Sequence, residues 1–383
     1  MTDHHRASLT FAILAVLAVM SLAGGNAYAQ GCVRVSPMGC GLSQSMDPSS
    51  GILGSREWQV STDYQYFRSF RHFRGDEEEA NRVEDGTEVI NRNHSMDLGL
   101  EYGLTDRLGI ALNVPVLFYD RSSLYEHYGN SPASNPGQDR FHTGAQGVGD
   151  VRLTGSYWLF DPMTSYRGNL SLGFGIKAPT GDSNVQDTFH KLAADGSDSL
   201  VTKAVDQSIQ PGDGGWGFTL EGQGYRSLFS RTSVYFSAFY LFNPREVNDV
   251  PHSVADQYSA RAGFDYALLP EHGLSASLGG RWEGVPSEDW IGGSQGRRRP
   301  GYAVSVEPGA TYRHRDLSFT LNVPIAVYRN RTQSVSDKER TAETGEWRQG
   351  DAAFADYLVS FSISKRFGSH HDMMMDVPTV GGE

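Results

Sequence analysis

Residues 96–121 read MDLGLEYGLTDRLGIALNVPVLFYDR. Met96, Leu98, Leu100, Tyr102 and Leu104 alternate with Asp97, Gly99, Glu101 and Gly103. After Thr105-Asp106 the alternation restarts, with Leu108, Ile110, Leu112, Val114 and Val116 against Gly109, Ala111, Asn113 and Pro115. Successive strand side chains point to opposite faces, so each arm has one apolar face and one small, polar or ionic face. Two such arms joined by a short turn predict a β-hairpin.

The same alternation recurs along the chain. It predicts strands near 56–73, 91–104, 107–121, 149–161, 168–182, 215–228, 231–245, 255–269, 274–290, 301–315, 316–331 and 352–367. The connections after the even-numbered strands are tight, such as Phe229-Ser230 and Arg315/Asp316, while those after the odd-numbered ones are long and polar. A soluble sandwich would bury its apolar face and leave a polar face rich in Lys and Glu. Here the polar face is mostly Gly, Ser, Thr and Asn, with charges of both signs. That suits an enclosed lumen in which opposite charges pair. The fold expected is all-β: a closed antiparallel transmembrane β-barrel of about 12 strands, with short periplasmic turns and long extracellular loops. Its lumen-lining charges would be Asp97, Glu101, Arg152, Lys177, Glu221, Arg261, Arg281 and Glu307. These would set the field seen by a passing solute.

Prolines interrupt this pattern. Each up-going strand after the first carries one late in its course: Pro115, Pro179, Pro244, Pro286 and Pro324. Proline cannot donate to a ladder, so it belongs at an edge, a strand start or a bulge. Two readings stand: bulges or kinks that narrow the lumen, or marks of where strands leave the membrane. Pro308 in a down-going strand is an exception.

The chain ends place the barrel. Residues 1–29 have the layout of a secretory signal peptide, with an apolar run from Leu9 to Leu22 and an Ala27-Tyr28-Ala29 cleavage site. Residues 30–55 form an expected periplasmic segment in which Cys32 and Cys40, the only cysteines, pair as a local disulfide. The barrel is expected over 56–367, followed by a flexible tail at 368–383. The last strand closes on Phe367, as a terminal signal for the outer-membrane assembly machinery would. The formal charge of -12 argues against nucleic acid as a partner. Expected partners are outer-membrane lipid and lipopolysaccharide, the assembly machinery and a small-molecule solute, in the outer membrane of a Gram-negative cell.

Three segments carry a resemblance: LGLEYGLTDRLGIALNVPVLFY (98–119), GVGDVRLTGSYWLF (147–160) and LGFGIKAPTGD (172–182). Together they resemble the outer-membrane transporter family named after the meta-cleavage pathway of phenol degradation. The matching positions are Gly147, Gly149 and Asp150, then Lys177, Pro179, Thr180, Gly181 and Asp182. The resemblance implies a barrel passing small, often hydrophobic or aromatic, compounds.

Other chemistry finds little support. Gly147-x-Gly149 opens a strand, not a helix, so it is no nucleotide loop. Asn93-His94-Ser95 offers the residue types of a lipase, but strand neighbours face opposite ways and cannot bond. Neither a cofactor nor a metal is expected, and the chain is read as a non-enzyme. Arg297-Arg298-Arg299 reads either as a clamp on lipopolysaccharide phosphates or as a solvated loop. Residues 184–210 could fold inward as a plug, with weak helical character. The reading is a passive channel for small molecules. Its rivals are a non-transporting receptor or structural barrel and, behind that, a lipid-modifying enzyme.

Overall fold

The computed structural model describes residues 52–368. The expected signal peptide, the Cys32–Cys40 pairing and the tail beyond Gly368 lie outside these residues. Twelve staves form the wall. In chain order they are β1 (Trp58–Arg74), β2 (Ile90–Gly103), β3 (Leu108–Ser123) and β4, in two pieces (Phe141–Val148 and Arg152–Trp158). Next come β5 (Gly168–Lys177), β6 (Gly217–Phe229), β7 (Thr232–Phe242) and β8 (Gln257–Leu269). The ring ends with β9 (Leu274–Val285), β10 (Gly301–His314), β11 in two pieces (Leu317–Asn322 and Ile325–Asn330) and β12 (Ala352–Phe367). Each pairs antiparallel with the next, and β12 pairs with β1 from Trp58↔Phe367 to Phe73↔Ala352, which closes the cylinder.

The alternation places the two faces as the sequence predicts. Val60, Leu100, Leu112, Phe174, Leu220 and Ile363 are exposed, whereas Asp97, Asn113, Thr154, Ser171, Glu307 and Ser360 are buried. The sheet is therefore inside out relative to a soluble sandwich. Aromatic rings mark both rims. Trp58 packs against Tyr102 at 4.2 Å, with the rings tilted, at the short-turn end. At the long-loop end Tyr240 lies 4.5 Å from Phe242, and Tyr258 lies 4.8 Å from Trp282.

The prolines fall at two kinds of position. Pro179, Pro244 and Pro286 follow the last residues of β5, β7 and β9 and mark where those staves end. Pro115 and Pro324 sit at interruptions instead. Residues 149–151 of β4 face only Val114 and Pro115 of β3, a bulge where the Gly149 N–H donates to the Pro115 carbonyl (2.8 Å). Pro324 lies in the gap of β11, opposite Pro308 of β10, and the Val323 N–H donates to the Pro308 carbonyl (3.0 Å). A missing N–H costs least where the ladder is already broken.

Two expectations are corrected. β4 starts at Phe141, not 149. Its upper piece turns His142, Gly144 and Gln146 outward, so it lacks the apolar alternation that marks the other staves. Within residues 184–210 the only helical piece is a single 3-10 turn, Gln207–Ile209. Gln186–Leu192 and Asp198–Ala204 form a β-hairpin outside the ring, and only the chain beyond that hairpin turns inward.

Candidate functional site

The inward turn begins at Val205 and ends near Asp213. Val205 and Ile209 are fully buried against Leu117, Tyr119 and Ala145 on the inner face of β3 and β4. The segment then reaches across the mouth, where Gln207 Nε2 donates to the Ser253 carbonyl (2.7 Å). Two sets of contacts hold it.

The first set is built from the motif residues around the break in β4. Pro179 ends the ladder of β5, and the next residue takes over its work. Thr180 Oγ1 donates to the Gly149 carbonyl (2.8 Å) and accepts from the Val151 N–H (2.9 Å). A side-chain hydroxyl thus replaces missing backbone bonds. The Asp150 carboxylate accepts from the N–H of Gly181 (3.0 Å) and of Asp213 (3.1 Å). Lys177 pairs with Asp213 and lies 3.7 Å from Asp150. Gly149, Asp150, Lys177, Thr180 and Gly181 therefore converge on one anchor, which fastens the inward segment to the wall. Gly181 and Gly212 touch backbone to backbone, and a Cβ on Gly212 would lie 2.3 Å from the Gly181 oxygen. The Gly212→Ala substitution must push these strands of chain apart, at about 1–3 kcal/mol for overpacking of this kind. Limited proteolysis within 183–213 is expected to accelerate while the melting temperature of the barrel stays unchanged.

The second set is an ion cluster. Arg299 grips Asp206 with two bonds of 2.7 Å. Arg121, at the end of β3, approaches Asp206 at 3.5 Å and donates to Glu126 (2.7 Å) and Asn91 (3.0 Å). Asp206 and Arg121 are almost wholly buried. Burial alone would push the Asp206 carboxyl up, but the Arg121 and Arg299 guanidiniums outweigh it and hold the group well below the usual carboxylate range.

Under the segment lies a cavity of about 110 Å³. Pro115, Leu117, Leu241 and Val285 give it an apolar side, while Gln207, Gln210, Asn248 and His252 together with charged groups such as Lys177, Asp213 and Arg299 give it a polar one. His252 is buried and its Nδ1 has no hydrogen-bond partner.

The eight charges chosen from the sequence all lie on the inner face. Arg152 pairs with Asp97 at 3.4 Å, and Lys177 belongs to the anchor. Arg261 and Arg281 both approach Glu307, at 3.6 and 3.5 Å, and Arg281 also meets Glu283 at 2.9 Å. Glu101 accepts from Gln59 (3.4 Å), and Glu221 accepts from Thr219 (2.9 Å). Opposite charges do pair inside. The arginine triplet is a correction. Arg298 pairs with Asp289 and Ser253, Arg299 holds Asp206, and only Arg297 stays exposed. Two of the three are spent inside, so the run is neither a phosphate clamp nor a solvated loop. His94 is exposed and Ser95 buried, on opposite faces, as the alternation requires.

Asp206, Arg121 and Asp213 escaped the sequence reading. Asp206 and Arg299 are 93 residues apart, and nothing local announces that they meet.

No family of known sequences and no curated protein matches the chain. Solved structures do. An outer-membrane channel from Pseudomonas putida F1 is 15% identical over 84% of this chain and 100% of its own, with a TM-score of 0.54. The two share a fold. The toluene transporter TodX of P. putida is 12% identical over 82% of this chain and 91% of its own, with a TM-score of 0.41.

Proposed function

We propose that the chain is an outer-membrane channel for passive passage of small molecules, narrowed at its outer mouth by residues 205–213. One observation carries this reading: apolar side chains face outward around the whole cylinder and ionic ones are enclosed. A soluble protein does not leave so large an apolar belt in water. The first and last staves meet at the short-turn end, where Trp58 pairs with Phe367. That end is then periplasmic, consistent with an export signal at 1–29.

The resemblance to the meta-pathway family supports small aromatic solutes. The cavity supports the same class, since its volume is of the order that admits a single ring. Its apolar side would take the ring, and its polar side, with His252, amides and charged groups, would take a polar substituent.

Purified protein in planar bilayers is expected to give small, steady conductance steps, and proteoliposomes to take up ring-sized solutes. An impermeant barrel that stays so after the inward segment is removed would favour the receptor reading instead. Arg281→Glu is expected to shift ion preference towards cations, because it reverses one of the two guanidiniums around Glu307. The reversal potential in a salt gradient reads this directly.

A further inference from the structure

The outer wall carries a pair of arginines that the channel reading does not use. Ten residues separate Trp58 from Arg68 on β1. At ~3.3 Å per residue and a tilt of ~40° this is a height of about 25 Å, the thickness of the apolar band of such barrels. Trp58 and Val60 face outward below. Arg68 therefore stands where lipid tails give way to headgroups.

Arg68 is exposed, and its cross-strand partner on β2 is Arg92. Like charges directly opposite destabilise a sheet. Arg92 is partly offset by Asp120 on β3 (3.2 Å), which His142 also contacts at 2.9 Å. Arg68 lies over the Phe70 ring at 4.3 Å and makes no hydrogen bond or ion pair among the described residues. The nearby Asp356 is engaged by Arg71 at 3.5 Å. One step below, the Tyr66 ring lies tilted against His94 at 4.7 Å, and the Tyr64 hydroxyl meets His94 Nδ1 at 2.7 Å. This is an aromatic ledge directly beneath two guanidiniums.

We propose that Arg68 and Arg92 bind the phosphate of a glycolipid headgroup in the outer leaflet. Guanidinium forks match phosphate geometry and lose little by partial desolvation. A phosphate between them would relieve their mutual repulsion, while the ledge would pack against the sugar and the first methylenes of the acyl chains. The inference rests on the membrane-spanning reading, because it uses the height of the apolar band.

The full barrel in detergent, titrated with diphosphoryl lipid A and followed by native mass spectrometry, tests it. Affinity is expected to fall about fivefold for each arginine lost. Arg68→Lys should keep part of the binding, and Arg297→Ala should change nothing. Gel mobility before and after heating verifies folding; if the double alanine variant does not fold, Arg68→Gln and Arg92→Gln give the same reading singly. Unchanged binding in folded variants would overturn the proposal, as would equal binding of lipid stripped of its phosphates. Competition by inorganic phosphate at equal concentration would show a free-anion site and overturn the lipid assignment. Conductance of the variants should match the native protein. A barrel that fails to enter bilayers at all would instead sink the channel reading.

Discussion

Replacing Val205–Gln210 with a Gly-Ser stretch of equal length is expected to raise single-channel conductance severalfold. None of these residues pairs with a stave of the ring. Their contribution is to fill the mouth: Val205 and Ile209 bury their side chains against β3 and β4, at about 1.5–3 kcal/mol each. The replacement loses that burial and the grip on Asp206 together. It leaves the wall ladders and the Thr180 stitch in place, so the heat stability of the barrel should hold. An unchanged conductance in a folded variant would show that the narrowest point lies elsewhere.

The second large effect is expected from Asp206→Ala. Removing one partner of a buried ion cluster typically costs about 3–5 kcal/mol, because the remaining charges stay buried without their counterion. Arg121 and Arg299 would then repel each other across the vacated carboxylate. The inward segment carries the cost, not the ring, so the expected result is release of 205–213: higher conductance, faster proteolysis there and an intact barrel. The pair Asp206→Ala with Arg299→Ala should be milder than the sum of the two single changes. The pH response is set by the direction of the Asp206 shift. A carboxyl held below its ordinary value stabilises the folded segment above the unfolded value of about 4, and that stabilisation is lost as pH falls through the lower folded value. Native conductance should therefore stay low down to about pH 4 and rise only in stronger acid. A rise between pH 7 and 5 would show that some other group controls the mouth.

The wall was legible because its rule is local. Alternation over Met96–Leu104 or Leu108–Val116 needs no knowledge of the partner strand, and each such run became a stave. The rule lapses where the outer face no longer meets lipid. That is why the upper piece of β4, with His142, Gly144 and Gln146 outward, gave no signal. The inner charges were legible for the same reason as the wall, since each sits on the minority face of an alternating run. The mouth was not. Its cluster joins β3, the 205–213 turn and the loop before β10 through single side chains, and no periodicity connects Arg121, Asp206 and Arg299. The GxGD and KxPTGD residues were visible as a motif, but their joint role in stitching a broken stave needed coordinates.

The ring is closed by a single stave, β12, which pairs with β1 along its length. Because Trp58 meets Phe367 and Phe73 meets Ala352, a molecule cut short before residue 352 keeps eleven staves and two naked edges. Unpaired strand edges recruit other chains, so truncated copies should pile up edge to edge instead of persisting as open sheets. Closure of the wall thereby rests on the sixteen residues of β12, Ala352–Phe367.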